Sequence, residues 1–139
     1  MRRVITFGTY DLFHIGHLRL IERARALGDH LTVGVSTDAL NFSKKGKNPV
    51  FPENDRLEII RALRLVDDVF LEESLEQKAE YIQRYRADVF VMGDDWAGKF
   101  DDMRAYCEVV YLPRTPEIST TGIKRDITET HLRTGALNA

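Results

Sequence analysis

Val4-Ile5-Thr6-Phe7-Gly8-Thr9-Tyr10-Asp11-Leu12-Phe13-His14-Ile15-Gly16-His17 runs from a short apolar stretch through a glycine turn to two histidines three residues apart. From about Gly16 to Leu27 the spacing turns helical: Leu18, Ile21, Ala24 and Leu27 share one stripe, Arg19, Glu22, Arg23 and Arg25 lie off it, and Gly28 reads as the stop. A strand that feeds a helix through a tight turn is half of a βαβ unit. Apolar runs return at Leu31 to Val35, Asp68 to Leu71, Val89 to Met92 and Val109 to Leu112. Helical spacing returns near Pro52-Glu53, where Leu57, Ile60 and Leu63 point inward, from about Leu75 to Tyr85, and from Ser119 to Thr121 onward toward Leu132. Val89-Phe90-Val91-Met92 is apolar at every position, as in a parallel strand covered on both faces. The expectation is one Rossmann-like, doubly wound α/β domain over residues 1–132, with a five-stranded parallel sheet in the order 3-2-1-4-5 and a frayed tail over 133–139.

The 139 residues suffice for one domain with its own core and not for two. A net charge of -2 provides no overall field for nucleic acid or an anionic membrane, so an anion must be held by a local cluster. No apolar stretch reaches the roughly 20 residues of a membrane span, and the N-terminus has no signal-peptide core. A cytoplasmic location without membrane insertion is expected. With Cys107 alone, and histidines at 14, 17, 30 and 131 lacking i, i+4 pairing, no protein-borne zinc set is legible. His30 and His131 read as structural or surface residues.

In an open parallel sheet, ligands bind beyond the carboxyl ends of the strands where strand order reverses. The loops after strands one and four, Gly8 to His17 and Gly93-Asp94-Asp95-Trp96, are neighbours there in the expected order. Gly16 lets a ligand approach the backbone, and the helix start offers free N–H groups to a phosphate beside His14 and His17. An isolated His-x-Gly-His is otherwise a surface or capping feature about half the time; strand, turn and helix in sequence favour the ligand reading. Arg114-Thr115-Pro116-Glu117-Ile118-Ser119-Thr120-Thr121 is ambiguous alone: three hydroxyls either cap a helix or, with Arg114, hold outer phosphates. Ser43-Lys44-Lys45-Gly46-Lys47-Asn48-Pro49 reads as a basic, turn-prone loop.

Taken together, the segments Gly8 to His17, Ser36-Thr37-Asp38, Val89 to Trp96, Val109 to Thr115 and Ile118 to Thr121 resemble the small cytidylyltransferases of the His-x-Gly-His nucleotidyltransferase superfamily, above all those that act on glycerol 3-phosphate. The resemblance implies transfer of CMP from CTP to glycerol 3-phosphate, giving CDP-glycerol and pyrophosphate, with Mg2+ carried on the CTP phosphates. It implies that His14, His17 and Lys44 are catalytic, and that Thr9, Tyr10, Gly16, Arg114, Thr115, Ile118, Ser119, Thr120 and Thr121 complete the CTP site. Lys44 and Lys78 match the acceptor-binding lysines, and Arg64 and Asp67 a further family Arg and Asp. It also implies a homodimer, for which the helix carrying Arg56 and Arg64 is a candidate face, and a product that feeds teichoic acids or related envelope polymers.

Plainer readings stand beside these. Lys78 on a helix is ordinarily a solvated residue, Arg64 and Asp67 a helical ion pair, and Asp94 and Asp95 turn formers with Trp96 an anchor; Asp11 and Asp38 stay open. Two departures from the family pattern are visible. Pro116-Glu117 stands where a glycine is general, and Gly46 falls at a second family lysine, for which Lys47, or alternatively Lys45, substitutes at the CTP site. The competing functions are the same chemistry with ATP or another phosphorylated acceptor (a polyol phosphate, phosphoethanolamine, phosphocholine), and a nucleotide-binding module without turnover.

Overall fold

The computed structural model describes residues 1–113, 123–125 and 127–128. In chain order they form β1 (Arg3–Gly8), α1 (Ile15–Arg25), β2 (His30–Ser36), α2 (Asp38–Lys45), α3 (Glu53–Arg61), β3 (Asp68–Glu72), a 3-10 turn at Leu75–Gln77, α4 (Lys78–Arg84), β4 (Val89–Gly93), 3-10 turns at Asp94–Trp96 and Asp101–Ala105, and β5 (Glu108–Leu112). The five strands are parallel in the order β3-β2-β1-β4-β5, as expected. Residues 123–125 and 127–128 are helical, within the span read as the last helix.

The alternation of Cβ direction along each strand divides the core in two. Val4 on β1 and Val89 and Val91 on β4 join Ile21 and Ala24 of α1 and Ile60 of α3 on one face. Ile5, Phe7, Phe90 and Met92 face the other way, against Tyr81 and Ile82 of α4. Both faces are covered, which is why β4 is apolar from Val89 to Met92, while β1 and β2 bury Thr6 and Thr32 among their apolar residues. Leu57 and Leu63 pack beside Ile60 as their spacing predicted.

Three local expectations are corrected. Gly28 is not a left-handed helix cap: α1 ends at Ala26 in right-handed geometry, and a Cβ on Gly28 would lie 2.5 Å from the Arg2 carbonyl oxygen, so the glycine permits a close crossing of chains. The stretch read as a loop from Ser43 begins inside α2, which Thr37 caps by accepting the Leu40 N–H at 3.0 Å; Lys44 and Lys45 occupy its last turn. The Arg64–Asp67 helical pair does not form because α3 ends at Arg61; Asp67 instead accepts the Leu31 N–H at 2.8 Å and pairs with Arg25 at 3.9 Å.

Candidate active site

The carboxyl ends of β1 and β4 open into a cavity of about 530 Å3. Thr9, Tyr10, Asp11, His14, Gly16, His17, Lys47, Asp95 and Trp96 of the sequence-predicted set line it, and Lys45 does too. The β1–α1 loop takes an unusual path there, with Tyr10 and Leu12 at φ 55° and 51°. Left-handed backbone at non-glycine residues is unfavourable by about 1 kcal/mol or more each, so the surroundings must hold it. The Tyr10 ring folds back over Gly8, where a Cβ would lie 2.7 Å from it. Burial of Tyr10 pushes its phenol above the ordinary value.

Asp11 anchors the loop from the other side. Its carboxylate accepts the N–H groups of Val50 and Phe51 at 2.7 and 2.9 Å and pairs with Lys124 at 3.3 Å. Burial pushes this carboxyl up, but those backbone donors and Lys124 outweigh it and hold it below its usual range. Asp11 thereby joins the turn after β1, the segment before α3 and the helical stretch at 123–125.

His14 is the N-cap of α1, its Nδ1 accepting the Gly16 N–H at 3.0 Å, and His17 Nδ1 accepts the His14 N–H at 3.2 Å. The rings stack with centroids 3.8 Å apart. Burial lowers the His14 pKa. Burial and then the charge of His14 bring His17 down to about 4. Both rings are therefore neutral near pH 7, and with Nδ1 accepting, each carries its proton on Nε2. The buried His14 Nε2 has no partner among the described residues. No acidic residue occupies the first turn of α1, so the positive end of the helix dipole adds to these donors. Such a site is built to receive an anion.

The remaining predicted residues divide by position. Arg56 is fully buried and donates to the carbonyls of Phe51, Thr9 and Ser36 at 2.9, 2.8 and 2.8 Å and to Asp38 at 2.7 Å. It ties together the loop and helix ends beneath the cavity and is unavailable to a dimer face. Asp38 and Glu53 cap each other's helices, Asp38 N–H to Glu53 at 2.9 Å and Glu53 N–H to Asp38 at 3.3 Å. Lys78 is 2% exposed rather than solvated: it pairs with Glu72, itself 2% exposed, and its Nζ lies 3.7 Å from the Phe7 ring centroid. Burial, and then Lys44, lower its pKa. Lys44 Nζ lies 5.9 Å from the Trp96 ring centroid, its pKa lowered by desolvation and by Lys45.

Asp94 is exposed beside the lining residue Asp95. Arg64 is exposed in the connection to β3, and Asp67 lies at the amino end of β2, remote from the cavity at the strands' carboxyl ends. Arg114, Thr115, Pro116, Glu117, Ile118, Ser119, Thr120, Thr121 and the tail 133–139 lie outside the described residues. Sequence reasoning does not find Asn41, which lines the cavity, or Glu72, which pairs with Lys78. The Thr37 cap ahead of Leu40 was the available signal for α2, whereas nothing local marks Glu72 as the partner of Lys78.

Neutral imidazole donors at a helix N-terminus, set where strand order reverses, make this a nucleotide-binding α/β protein. The chain belongs to the family described as cytidylyltransferase-like, whose profile matches residues 5–126. It is 52% identical over 127 residues to the glycerol-3-phosphate cytidylyltransferase of Bacillus spizizenii, covering 91% of this chain and 98% of the relative. With the Staphylococcus aureus enzyme of the same name it shares 46%, covering 91% and 96%. A solved structure of a lipopolysaccharide core biosynthesis protein from Thermoplasma volcanium aligns with a TM-score of 0.70 at 27% identity, covering 83% of this chain and 98% of that one.

Proposed function

We propose that this protein transfers CMP from CTP to glycerol 3-phosphate. A phosphate oxygen of the acceptor attacks the α-phosphorus of CTP in line, the bond from that phosphorus to the bridging oxygen breaks, and pyrophosphate leaves with the electron pair. The acceptor phosphate is already ionised near neutral pH, so the protein has to align two polyanions and stabilise charge rather than remove a proton. The observation that carries this reading is the His14–His17 pair, two Nε2–H donors with fixed tautomers over the cavity, in a chain about half identical to glycerol-3-phosphate cytidylyltransferases along nearly its whole length.

In this mechanism His14 and His17 hold the CTP phosphates and the charge that develops on the departing pyrophosphate. Thr9, Tyr10, Gly16 and Lys47, with Lys45 beside it, line the CTP side. Arg114, Thr115, Ile118, Ser119, Thr120 and Thr121 complete it through the outer phosphates. Lys44 serves the acceptor, and Lys78, buried behind the Phe7 ring and paired with Glu72, supports the acceptor side of the wall without contacting the acceptor. Among the described residues no group of three or more His, Cys, Asp or Glu gathers as a metal site. Mg2+ would be held by the CTP phosphates and would offset part of their charge. No helix among the described residues is long and apolar enough to cross a membrane. We place the reaction in the cytoplasm, in a homodimer, supplying CDP-glycerol to an envelope polymer.

The test is pyrophosphate release from CTP and Mg2+ with and without glycerol 3-phosphate. Release that depends on glycerol 3-phosphate is expected. Equal release with phosphocholine, phosphoethanolamine or a polyol phosphate would reassign the acceptor, ATP in place of CTP the donor, and CTP binding without turnover would overturn the enzyme reading.

A further inference from the structure

Three polar side chains at the cavity wall, of which Thr9 and Asn41 line it, close a hydrogen-bond ring. Asn41 in α2 donates from Nδ2 to the Thr37 carbonyl at 2.9 Å and to Ser36 Oγ at 2.9 Å, and its Oδ1 lies 2.8 Å from Thr9 Oγ1. A carbonyl can only accept, so the Thr37 contact fixes which end of the amide is nitrogen. Oδ1 therefore faces Thr9, and because an amide oxygen can only accept, the Thr9 hydroxyl must donate its proton there. Ser36 Oγ, having accepted from Asn41, shares its one proton between Thr9 Oγ1 at 3.1 Å and the Gly8 carbonyl at 3.4 Å. Asn41 and Ser36 are each 1% exposed.

We propose that Asn41 is a positioning residue that clamps the acceptor-side helix α2 to the CTP loop through Thr9, and that the Thr9 hydroxyl is a tie within the protein rather than a donor to phosphate. The geometry joins three elements: the loop after β1, the end of β2 and the middle of α2. The Thr9 carbonyl is held as well, by Arg56 at 2.8 Å. Lys44 follows Asn41 by one helical turn, so the ring sets the distance between that lysine and the histidine loop. Thr9 then offers bound phosphate its backbone and not its side chain. The inference rests on the proposed reaction and adds to it a residue that couples the two substrate sites.

The test is steady-state kinetics and thermal unfolding on the full chain for Asn41→Ala, Thr9→Val, Thr9→Ser and the Asn41→Ala, Thr9→Val double variant. Asn41→Ala and the near-isosteric Thr9→Val are each expected to raise the KM for glycerol 3-phosphate about tenfold, the effect of roughly one lost buried hydrogen bond, with kcat and the KM for CTP within about threefold. The double variant is expected to be no worse than the poorer single one in both KM and Tm, and Thr9→Ser to restore wild-type behaviour. Thr9→Val alone lowering kcat or raising the CTP KM tenfold, with Asn41→Ala near wild type, would make the hydroxyl a phosphate donor and overturn the proposal. Additive losses, or changes below threefold in both single variants, would also overturn it. Loss of the reaction in the wild-type protein overturns the proposed function, and with it the acceptor arm of this inference; the Tm cycle reads the ring independently of turnover.

Discussion

The imidazoles of His14 and His17 stack with centroids 3.8 Å apart, each using Nδ1 to accept a backbone N–H in the turn that begins α1. The arrangement leaves Nε2–H as the donor on both rings. Replacing His17 with alanine removes one such donor together with the bond to the His14 N–H. A loss of about a hundred- to a thousandfold in kcat is expected, measured as pyrophosphate release. A variant within threefold of wild type would remove His17 from the chemistry.

Neutral histidines predict a rate profile without an acid limb above neutrality. With His17 brought down to about 4 by burial and then by His14, and His14 also lowered, the free protein holds both rings unprotonated from pH 7 to 9. The kcat/KM for CTP is expected to stay flat across that range. A steady fall as pH rises that persists in Lys44→Arg would mean that an imidazolium is required.

The same shift links stability to pH. His17 titrates near 6.5 in the unfolded chain and near 4 in the folded one, so between these values the unfolded state binds the extra proton. Stability is therefore full above about pH 6.5 and declines as pH falls toward 4, by on the order of 3 kcal/mol. Urea unfolding at a series of pH values should show this slope, and His17→Asn should reduce it, leaving the part of the same sign that His14 contributes. Other titrating groups add a background common to both proteins.

Lys78 and Glu72 form an ion pair sealed by Phe7 and Phe100. Removing one buried charge strands the other. Glu72→Gln is expected to lower unfolding stability by about 3–5 kcal/mol, whereas a Glu72→Leu, Lys78→Met double variant recovers most of that loss. The two urea midpoints decide it: a single variant as stable as wild type would show that the pair contributes nothing to the fold.

Gly8 leaves room for one ring. A Cβ there would meet Tyr10 at 2.7–2.8 Å, and Tyr10, already in left-handed backbone, has little freedom to retreat. Gly8→Ala should lower stability by about 1–3 kcal/mol and raise the KM for CTP by displacing the loop. Unchanged values in thermal unfolding and kinetics would show that the ring gives way without disturbing the site.

The strands and most helices were legible because their signals are local. Val89 to Met92 announces a doubly covered strand by continuous apolarity, and Leu57 and Ile60 announce a helix face by spacing, so the alternating strands and helices of a parallel α/β sheet are legible in the sequence. The histidine pair was legible for the same reason, since a cap and the first turn of a helix involve neighbours in the chain. The helix at 38–45 was not, because its lysine-rich end resembles a loop and its stability depends on the Thr37 cap and on Asp38 meeting Glu53.

Sequence by itself determined the order of elements, the strand end that bears the histidines and the family to which they belong. Tertiary structure decided what the polar residues do there. Whether Arg56 faces a partner or lies buried beneath a loop, whether Lys78 is solvated or paired with Glu72, and which way the Asn41 amide points all depend on groups many residues away along the chain. Burial and hydrogen bonding act over a few ångströms of space, and only the folded chain sets those distances.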